Sequence, residues 1–404
     1  MIPVFSILYS QLREEFALIT TTLSIHEGRT DAAPDAVGLD AARLQLLDEH
    51  FRGLIEAGRI QGASYLVARD GQIVVHRSQG HLTYEENSPA LLPNSIRKVY
   101  SITKVFTAIA IAQLAEEGKL FYQQSVSEWI PELNTDQHRG ITIWHLLTHT
   151  SGLMGDPGVQ TEPYTLPWYE WWLHEKKSSA DAWTLEEGIK TIVSGRMYCK
   201  PGEQWNYCTA GFALLGLVIE RASGMSYEQY VRERITEPLG MERTFLRVPE
   251  HLRAETCIVN PWQEKEVQDS FDRTGIPAAA GNGLFSTLED LWKLGQAMLD
   301  DGQLHGQRIL GRKTVRMMVS NQLNNVPSTC WGDKNPNFQM GLGWSLSHQD
   351  ICSPGTYAHE GAGHCGLFID PIERLVYAFM VPSQTGWVPQ AIINPRAIIW
   401  SALL

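Results

Sequence analysis

One stretch of this chain is apolar on every side of a helix and must therefore lie inside a core. From Thr103 to Glu117 nearly every helical position is apolar, and Gly118 follows as a stop. A helix without a polar face has to be enclosed by other elements. Gly211 to Arg221 repeats the pattern and ends near Gly224. The sequence therefore predicts two buried helices at the centre of the fold.

Length, charge and hydropathy exclude several classes of protein. The 404 residues allow about two or three domain-sized units, or one large core with an inserted subdomain. A formal net charge of -12 without long runs of Lys or Arg argues against binding to nucleic acid or anionic lipid. The longest apolar run, Phe212 to Ile219, is far shorter than the roughly 20 residues that cross a bilayer. We expect no membrane span.

The N-terminal residues and the cysteines bear on cellular location. Ile2 to Tyr9 is mostly apolar, but no basic residue precedes it and no small-residue cleavage site follows. The sequence therefore predicts a cytoplasmic protein. Six cysteines occur without a Cys-x-x-Cys pair, which favours reduced thiols over a disulfide framework or a zinc site.

Periodicity and turn signals predict the secondary structure outside the two buried helices. Helical spacing runs from Ala41 to Gly58, and the β-prone runs Ala63 to Arg69 and Gln72 to Arg77 flank Asp70-Gly71, a dipeptide that hairpin turns prefer. The other predicted elements are a helix over Leu288 to Leu299, strands over Leu342 to Ser347, Gly366 to Ile369 and Leu375 to Val381, and a last helix near Ala391 to Leu404.

These elements predict an α+β fold, in which an antiparallel sheet is flanked by N- and C-terminal helices and carries a large all-helical insertion. Residues 1–40 are expected to form an N-terminal appendage and linker. Residues 41–95 together with 266–404 would form the sheet domain, and residues 96–265 the all-helical domain. A cleft between those two domains would be the natural functional site.

The first buried helix begins with a hydroxyl and an amine one turn apart. Ser101 and Lys104 stand at i and i+3, which places them on one face. A lysine among apolar residues is partly desolvated, which lowers its pKa toward the range where the amine accepts a proton. Such an amine can activate the serine. Taken alone, the pattern also fits a surface serine and an exposed lysine on an amphipathic helix.

Three further segments strengthen the catalytic interpretation of Ser101. Tyr207 lies in a loop just before the second buried helix, where its hydroxyl could reach a cleft. The small residues of His359-Glu-Gly-Ala-Gly363 would let backbone N–H groups approach a substrate carbonyl. His145 to Leu153 forms a third dense cluster.

Together these motifs resemble the serine β-lactamase and penicillin-binding-protein superfamily, in particular its class C β-lactamase-like branch of esterases, acyltransferases, D-aminopeptidases and carboxypeptidases. The resemblance extends from about Ala42 to Pro382. The matching segments, in the family's order, are Ser101-Ile-Thr-Lys104, Glu117-Gly-Lys-Leu120, His145 to Leu153, Tyr207-Cys-Thr209, Glu237-Pro-Leu-Gly-Met241 and His359-Glu-Gly361.

The resemblance implies a role for each matching residue. Ser101 would be the acyl-accepting nucleophile, and Lys104 and Tyr207 would share the base and acid work. The backbone N–H groups of Ser101 and Ala362 would form the oxyanion hole. A cationic lysine would also favour the phenolate of Tyr207, which could then take the serine proton.

The chain departs from the family pattern at two substrate-binding positions. Thr209 stands where many relatives have asparagine, so a shorter hydroxyl replaces an amide that would bind a substrate amide carbonyl. His359 stands where β-lactamases usually have lysine, and a neutral imidazole attracts a substrate carboxylate more weakly. The alternative for His359 is a structural histidine at the start of a strand. Gly361 is expected to border the substrate.

Other patterns have structural explanations that compete with functional ones. Gly361 to Gly366 fits G-x-G-x-x-G, but a strand follows it where dinucleotide binding requires a helix. His145 and His149 are four apart, yet the glutamate of H-E-x-x-H is missing, so we expect no metal. Trp171 and Trp172 either pack on an amphipathic helix face or form an acyl-binding wall.

The sequence therefore predicts a serine hydrolase or acyltransferase without a metal or organic cofactor, acting on a small-molecule ester or amide. Carboxylesterase or transesterase activity is the first choice, because the residues at the two departing positions weaken the case for β-lactams. A D-amino-acid peptidase or weak β-lactamase is the second. A catalytically silent sensor or scaffold is the alternative outside the enzymes. The oligomeric state stays open.

Overall fold

A six-stranded antiparallel sheet dominates the fold. In a computed structural model, the described residues are 23–156, 159, 185–269, 280–346, 350–384 and 387–404. The strands are β1 (His26–Glu27), β2 (Gly62–Arg69), β3 (Gln72–Gly80), β4 (Arg97–Lys98), β5 (Phe285–Ser286), β6 (Gln303–Leu304), β7 (Gln307–Arg308), β8 (Tyr357–Gly361), β9 (Cys365–Asp370) and β10 (Leu375–Met380). The sheet has the strand order β1-β3-β2-β10-β9-β8, and two short ribbons pair β4 with β5 and β6 with β7.

The predicted hairpin forms the centre of this sheet. Strands β2 and β3 pair through Arg69 and Gln72, and the two turn residues Asp70 and Gly71 have φ values of 51° and 78°. Positive φ at both positions is what a two-residue turn of the right twist requires, and aspartate followed by glycine tolerates it. The prediction of a hairpin at this place is confirmed.

Helices cover both faces of the sheet. The α-helices are α1 (Ala41–Glu56), α2 (Thr103–Glu116), α3 (Ile143–Leu147), α4 (Leu185–Ser194), α5 (Thr209–Ser223), α6 (Tyr227–Val231), α7 (Pro261–Asp269), α8 (Leu288–Leu299), α9 (Arg312–Met318) and α10 (Pro389–Trp400). Helices α1 and α10 pack together on one face, and α8 packs on the other, where Gly295 lets it approach Val376 closely.

The two helices predicted to be buried pack against each other at the core. Every residue of α2 from Thr103 to Leu114 is buried, and so is every residue of α5 from Thr209 to Ile219. Helix α5 ends at Gly224, which has φ 75° and caps it in the left-handed conformation. The predicted α+β architecture is therefore confirmed. No helix in the described ranges is long and apolar enough to span a membrane.

Two details of the predicted strands differ from the structure. The run Leu342 to Ser347 is not a strand over the described residues up to 346, because Gly343 turns the chain with φ 75° where it passes against α2. The strand in this region is β8, and only Ser345 forms a bridge to it. At the other edge, β1 pairs with β3, so the part of the expected appendage around His26 adds a strand to the sheet. The domain boundaries stay predictions.

Two glycines with opposite surroundings test the packing of this fold. A Cβ at Gly366 would lie 2.3 Å from the ring of buried Phe379, whereas a Cβ at Gly53 on the exposed side of α1 would meet nothing within 4 Å. We expect Gly366→Ala to lower the free energy of unfolding by about 1–3 kcal/mol through overpacking. Gly53→Ala should raise it by about 0.5–1 kcal/mol, because alanine favours helix more than glycine does.

Urea denaturation of both variants beside the unmodified chain measures these changes. Equal stability of the Gly366→Ala variant and the unmodified protein would contradict the packing of β9 against β10.

Candidate active site

The serine lies in a tight turn that leads directly into α2. Tyr100–Ile102 form a single 3-10 turn, and Tyr100 has a φ of 45°, which is uncommon for a residue with a side chain. Ser101 is half-buried, and its Oγ lies 3.1 Å from the Nζ of Lys104. The lysine side chain is fully buried. The structure thus brings together the serine and the amine that the sequence paired.

Lys104 donates hydrogen bonds to two further acceptors. Its Nζ lies 3.1 Å from Oγ1 of Thr209 at the start of α5 and 2.8 Å from the carbonyl oxygen of Gly281. Two threonines of α2 hold the Gly281 segment in place. The backbone N–H of Leu284 donates to Thr103 Oγ1, and Thr107 Oγ1 donates to the Ala280 carbonyl at 2.6 Å.

Burial changes the basicity of the lysine. Desolvation lowers the pKa of Lys104 to about 8, although the negative charge of Asp156 acts in the opposite direction. A substantial fraction of the amine is therefore neutral near physiological pH, and this is the form that can accept a proton.

The partners of Lys104 determine where the lone pair of the neutral amine points. The Gly281 carbonyl can only accept a hydrogen bond. The Thr209 hydroxyl has a single hydrogen, which it donates to Oδ2 of Asp156 at 2.5 Å, so toward Lys104 it also acts as an acceptor. A neutral amine has two hydrogens and one lone pair. Both hydrogens are used by these acceptors, and the lone pair is left facing Ser101.

Tyr207 completes the group around the serine. Its side chain hydrogen-bonds with Ser101, and Lys104 Nζ lies 4.8 Å from the centre of its ring. Burial, followed by the negative charge of Asp156, raises the pKa of Tyr207. The phenol is therefore neutral, and the expected phenolate is not favoured, because desolvation is the largest influence on its pKa and the negative charge of Asp156 acts in the same direction.

His149 supports the tyrosine loop. Its Nδ1 accepts a hydrogen bond from the backbone N–H of Cys208 at 3.1 Å, and its ring lies 4.4 Å from that of Tyr207. Burial lowers the pKa of His149 well below its usual value. His145 likewise uses Nδ1 to accept from the backbone N–H of Thr142. Both histidines thus have structural partners, as the sequence favoured.

The end of β8 runs against the serine turn. A Cβ on Gly361 would lie 2.6 Å from the Val99 carbonyl oxygen, and one on Gly363 would lie 2.3 Å from the Tyr100 ring. Only residues without side chains permit this approach, which brings the backbone around Ala362 beside the serine.

His359 lies on the same strand, and its surroundings keep it neutral. Its Nδ1 is 2.9 Å from the carbonyl oxygen of Glu360. Burial and then the charge of Lys104 lower the pKa of His359 to about 3. The imidazole therefore carries no positive charge at physiological pH, in line with the expectation from sequence.

An aromatic side chain that the sequence did not single out lies next to Tyr207. The ring of Trp331 is 5.7 Å from that of Tyr207 and 5.8 Å from that of Trp205, yet 61% of Trp331 is exposed. Its φ of 56° is in the left-handed region that large side chains avoid. Trp171 and Trp172, the aromatic wall predicted from sequence, lie outside the described residues.

Comparison with known proteins agrees with this geometry. The beta-lactamase family profile matches residues 47–398. Penicillin-binding protein 4* of Bacillus subtilis (strain 168) is 36% identical over 198 residues, which are 48% of this chain and 40% of that protein. Esterase EstB of Burkholderia gladioli is 32% identical over 218 residues, which are 52% of this chain and 53% of EstB. The matches thus span about half of the length of these two relatives.

Solved structures show the same fold. The structure of EstCE1, described as a hydrolase with promiscuous acyltransferase activity, superposes with a TM-score of 0.72 at 19% identity and covers 89% of this chain and 99% of EstCE1. The family profile covers most of the chain, and the serine, lysine and tyrosine of the predicted motifs meet in one place. This chain belongs to the beta-lactamase family.

Proposed function

We propose that this protein is a serine hydrolase that forms an acyl-enzyme at Ser101 and acts as a carboxylesterase or transesterase on small or apolar acyl esters. One observation carries the proposal. The amine of Lys104 has fixed acceptors for both hydrogens of its neutral form, and its lone pair faces the Ser101 hydroxyl at 3.1 Å. An amine placed in this way is a general base for the serine.

In the proposed acylation, the lowered pKa of Lys104 and the raised pKa of Tyr207 give each residue a different proton transfer. Lys104 takes the proton of Ser101 as the Oγ attacks the substrate carbonyl, and backbone N–H groups of Ser101 and Ala362 stabilise the oxyanion. Tyr207, a neutral phenol, donates a proton to the leaving alcohol. Water or a second alcohol then attacks the acyl-enzyme with the same groups in reversed roles, which gives hydrolysis or acyl transfer.

The surroundings of the site favour esters over amides and carboxylates. The Thr209 hydrogen is committed to Asp156 and is not available to a substrate amide carbonyl. The neutral imidazole of His359 offers no charge to a carboxylate. The exposed ring of Trp331 beside Tyr207 provides an apolar surface for an acyl or alcohol group. The name of EstB and the description of EstCE1 support the same substrate class.

A D-amino-acid peptidase or weak β-lactamase is the second candidate, because the chain is also similar to a penicillin-binding protein. A silent sensor would bind such a ligand covalently without turnover.

Labelling and turnover separate these functions. We expect a fluorophosphonate probe to label the protein and p-nitrophenyl esters to be hydrolysed, and Ser101→Ala to abolish both. Tyr207→Phe should lower kcat by about 100-fold or more, since general acid and base groups typically contribute that much. Ester turnover that persists in the Ser101→Ala variant would refute the proposal. Labelling without turnover would identify a sensor, and faster cleavage of D-alanyl substrates or nitrocefin would favour the second candidate.

The pH dependence of kcat/KM tests the role of Lys104. The active form is the neutral amine, so kcat/KM should rise with pH, with a midpoint near pH 8, and then level off. His359 stays neutral throughout this range. Lys104→Arg should be inactive at every pH, because a guanidinium does not lose its proton. A rate that stays constant from pH 6 to pH 10 would exclude Lys104 as the base.

Trp331 should set the preference for apolar groups. We expect Trp331→Ala to lower kcat/KM for p-nitrophenyl octanoate relative to the acetate by about tenfold, because the longer chain loses its aromatic contact. Trp387 is similarly exposed (58%) and stacks with His364, so Trp387→Ala serves as the control and should leave the ratio unchanged. An unchanged ratio in the Trp331→Ala variant would remove this residue from the substrate site.

A further inference from the structure

We propose that Asp156 is a positioning residue of the active site. It fixes the direction of the Thr209 hydroxyl and thereby keeps the lone pair of Lys104 directed at Ser101. This inference rests on the proposed function, since it assigns to Asp156 an effect on the general base of that reaction.

The loop that carries Asp156 is fastened to the tyrosine loop. The backbone N–H of Asp156 donates to the Tyr207 carbonyl at 2.9 Å, and Nδ2 of Asn206 donates to the Leu153 carbonyl at 2.9 Å. A Cβ at Gly155 would lie 2.6 Å from Oδ1 of Asn206, so glycine is required for this approach. One backbone hydrogen bond and one from the Asn206 side chain thus hold the Asp156 loop beside the first residue of α5.

The carboxylate binds Thr209 through both of its oxygens. Oδ1 of Asp156 accepts from the backbone N–H of Thr209 at 2.6 Å, and Oδ2 accepts from the Thr209 hydroxyl at 2.5 Å. Burial raises the pKa of Asp156, whereas the charge of Lys104 and the two hydrogen bonds from Thr209 act in the opposite direction and favour the carboxylate. In this ionised form the side chain can only accept hydrogen bonds. The hydroxyl hydrogen must therefore point at Asp156, and the hydroxyl oxygen must accept from Lys104. A series of hydrogen bonds with determined donors and acceptors thus connects Asp156 to Ser101 through Thr209 and Lys104.

Asp156 is also the charge that Lys104 faces. The other titratable groups described around the amine are Tyr207 and Cys208 before α5, His149 after α3, and His359 on β8. Burial keeps each of them neutral: it raises the pKa of Tyr207 and of Cys208, the latter to about 12, and lowers the pKa of both histidines. Removing the charge of Asp156 should consequently lower the pKa of Lys104.

An amide at position 156 cannot reproduce this arrangement. Asparagine presents one acceptor and one donor where the carboxylate presents two acceptors. If its oxygen keeps the Thr209 backbone N–H, its NH₂ faces the Thr209 hydroxyl, which then donates toward Lys104 and occupies the lone pair. If the amide is flipped, its NH₂ opposes a backbone N–H. Either orientation disturbs the base.

The test compares Asp156→Asn with the unmodified protein in kcat/KM, kcat and KM for a p-nitrophenyl ester from pH 5 to pH 10. We expect kcat on the alkaline plateau to fall by about tenfold or more with little change in KM. The midpoint of the rise in kcat/KM should also move to lower pH by about one unit, because an anion no longer stabilises the protonated amine. A plateau and a midpoint equal to those of the unmodified protein would overturn the proposal.

Asp290 offers a matched control for a purely structural effect. It too accepts from a backbone N–H, that of Arg243, and from a threonine hydroxyl, that of Thr244, but these contacts lie at the start of α8. Asp290→Asn should lower the free energy of unfolding and leave the pH midpoint and kcat of the folded protein unchanged. If Asp156→Asn behaves in the same way, Asp156 only caps α5 and the proposal is wrong.

Thr209→Val provides an independent test that keeps the carboxylate, in case Asp156→Asn folds poorly. The Thr209 hydroxyl is lost but the charge of Asp156 remains, so kcat on the alkaline plateau should fall by about tenfold. The pH midpoint of kcat/KM should not move downward. In the double variant Asp156→Asn/Thr209→Val, the two fold reductions of kcat on the alkaline plateau should not multiply, since both changes remove the same hydrogen-bonded link between Asp156 and Lys104. Full multiplication, or an unchanged plateau in Thr209→Val, would overturn the proposal. If the fluorophosphonate probe does not label Ser101 in the unmodified protein, the proposed function itself is refuted.

Discussion

The architecture of the site depends on the burial of one amine inside a core helix. Lys104 lies on α2, whose other residues from Thr103 to Leu114 are also buried, and water cannot satisfy its Nζ there. The surrounding chain has to supply acceptors, and it does so with Thr209 and the Gly281 carbonyl. Gly281 has room for no side chain, because a Cβ would lie 2.6 Å from Cγ2 of Thr209. The apolar core thus dictates which polar groups approach the serine.

The same burial assigns different proton-transfer properties to neighbouring groups. Desolvation disfavours every charged form, so it lowers the pKa of the lysine and of His359 and raises that of Tyr207. A lysine that gives up its proton more readily than an exposed one and a tyrosine that stays a neutral phenol therefore lie beside one hydroxyl. Burial also raises the pKa of Asp156, and the charge of Lys104 together with the backbone N–H and the hydroxyl of Thr209 at the start of α5 opposes this effect and stabilises the carboxylate.

Periodic patterns predicted the buried helices and the hairpin, because local spacing alone determines such elements. The strand expected over Leu342 to Ser347 failed where Gly343 passes against α2, a contact between distant segments that local composition does not reveal. The i, i+3 spacing paired Ser101 with Lys104, and the resemblance to a known family added Tyr207 to them as a candidate. Asp156 could not be identified in this way, because it reaches Thr209 from a loop without periodicity. The available signal was the threonine in place of asparagine, which leaves the lysine in need of an oriented acceptor. No pattern in the sequence indicated a role for Trp331.

The central claim is that the core holds Lys104 as a weak base, and a direct titration of its amine tests this claim. Lysine side chains labelled with ¹³C at Cε can be followed by NMR from pH 6 to pH 12, and the signal of Lys104 is the one lost in Lys104→Arg. The structure predicts a midpoint near pH 8 for this signal, whereas exposed lysines titrate at about 10.4. A Lys104 signal that titrates together with the exposed lysines would contradict the account.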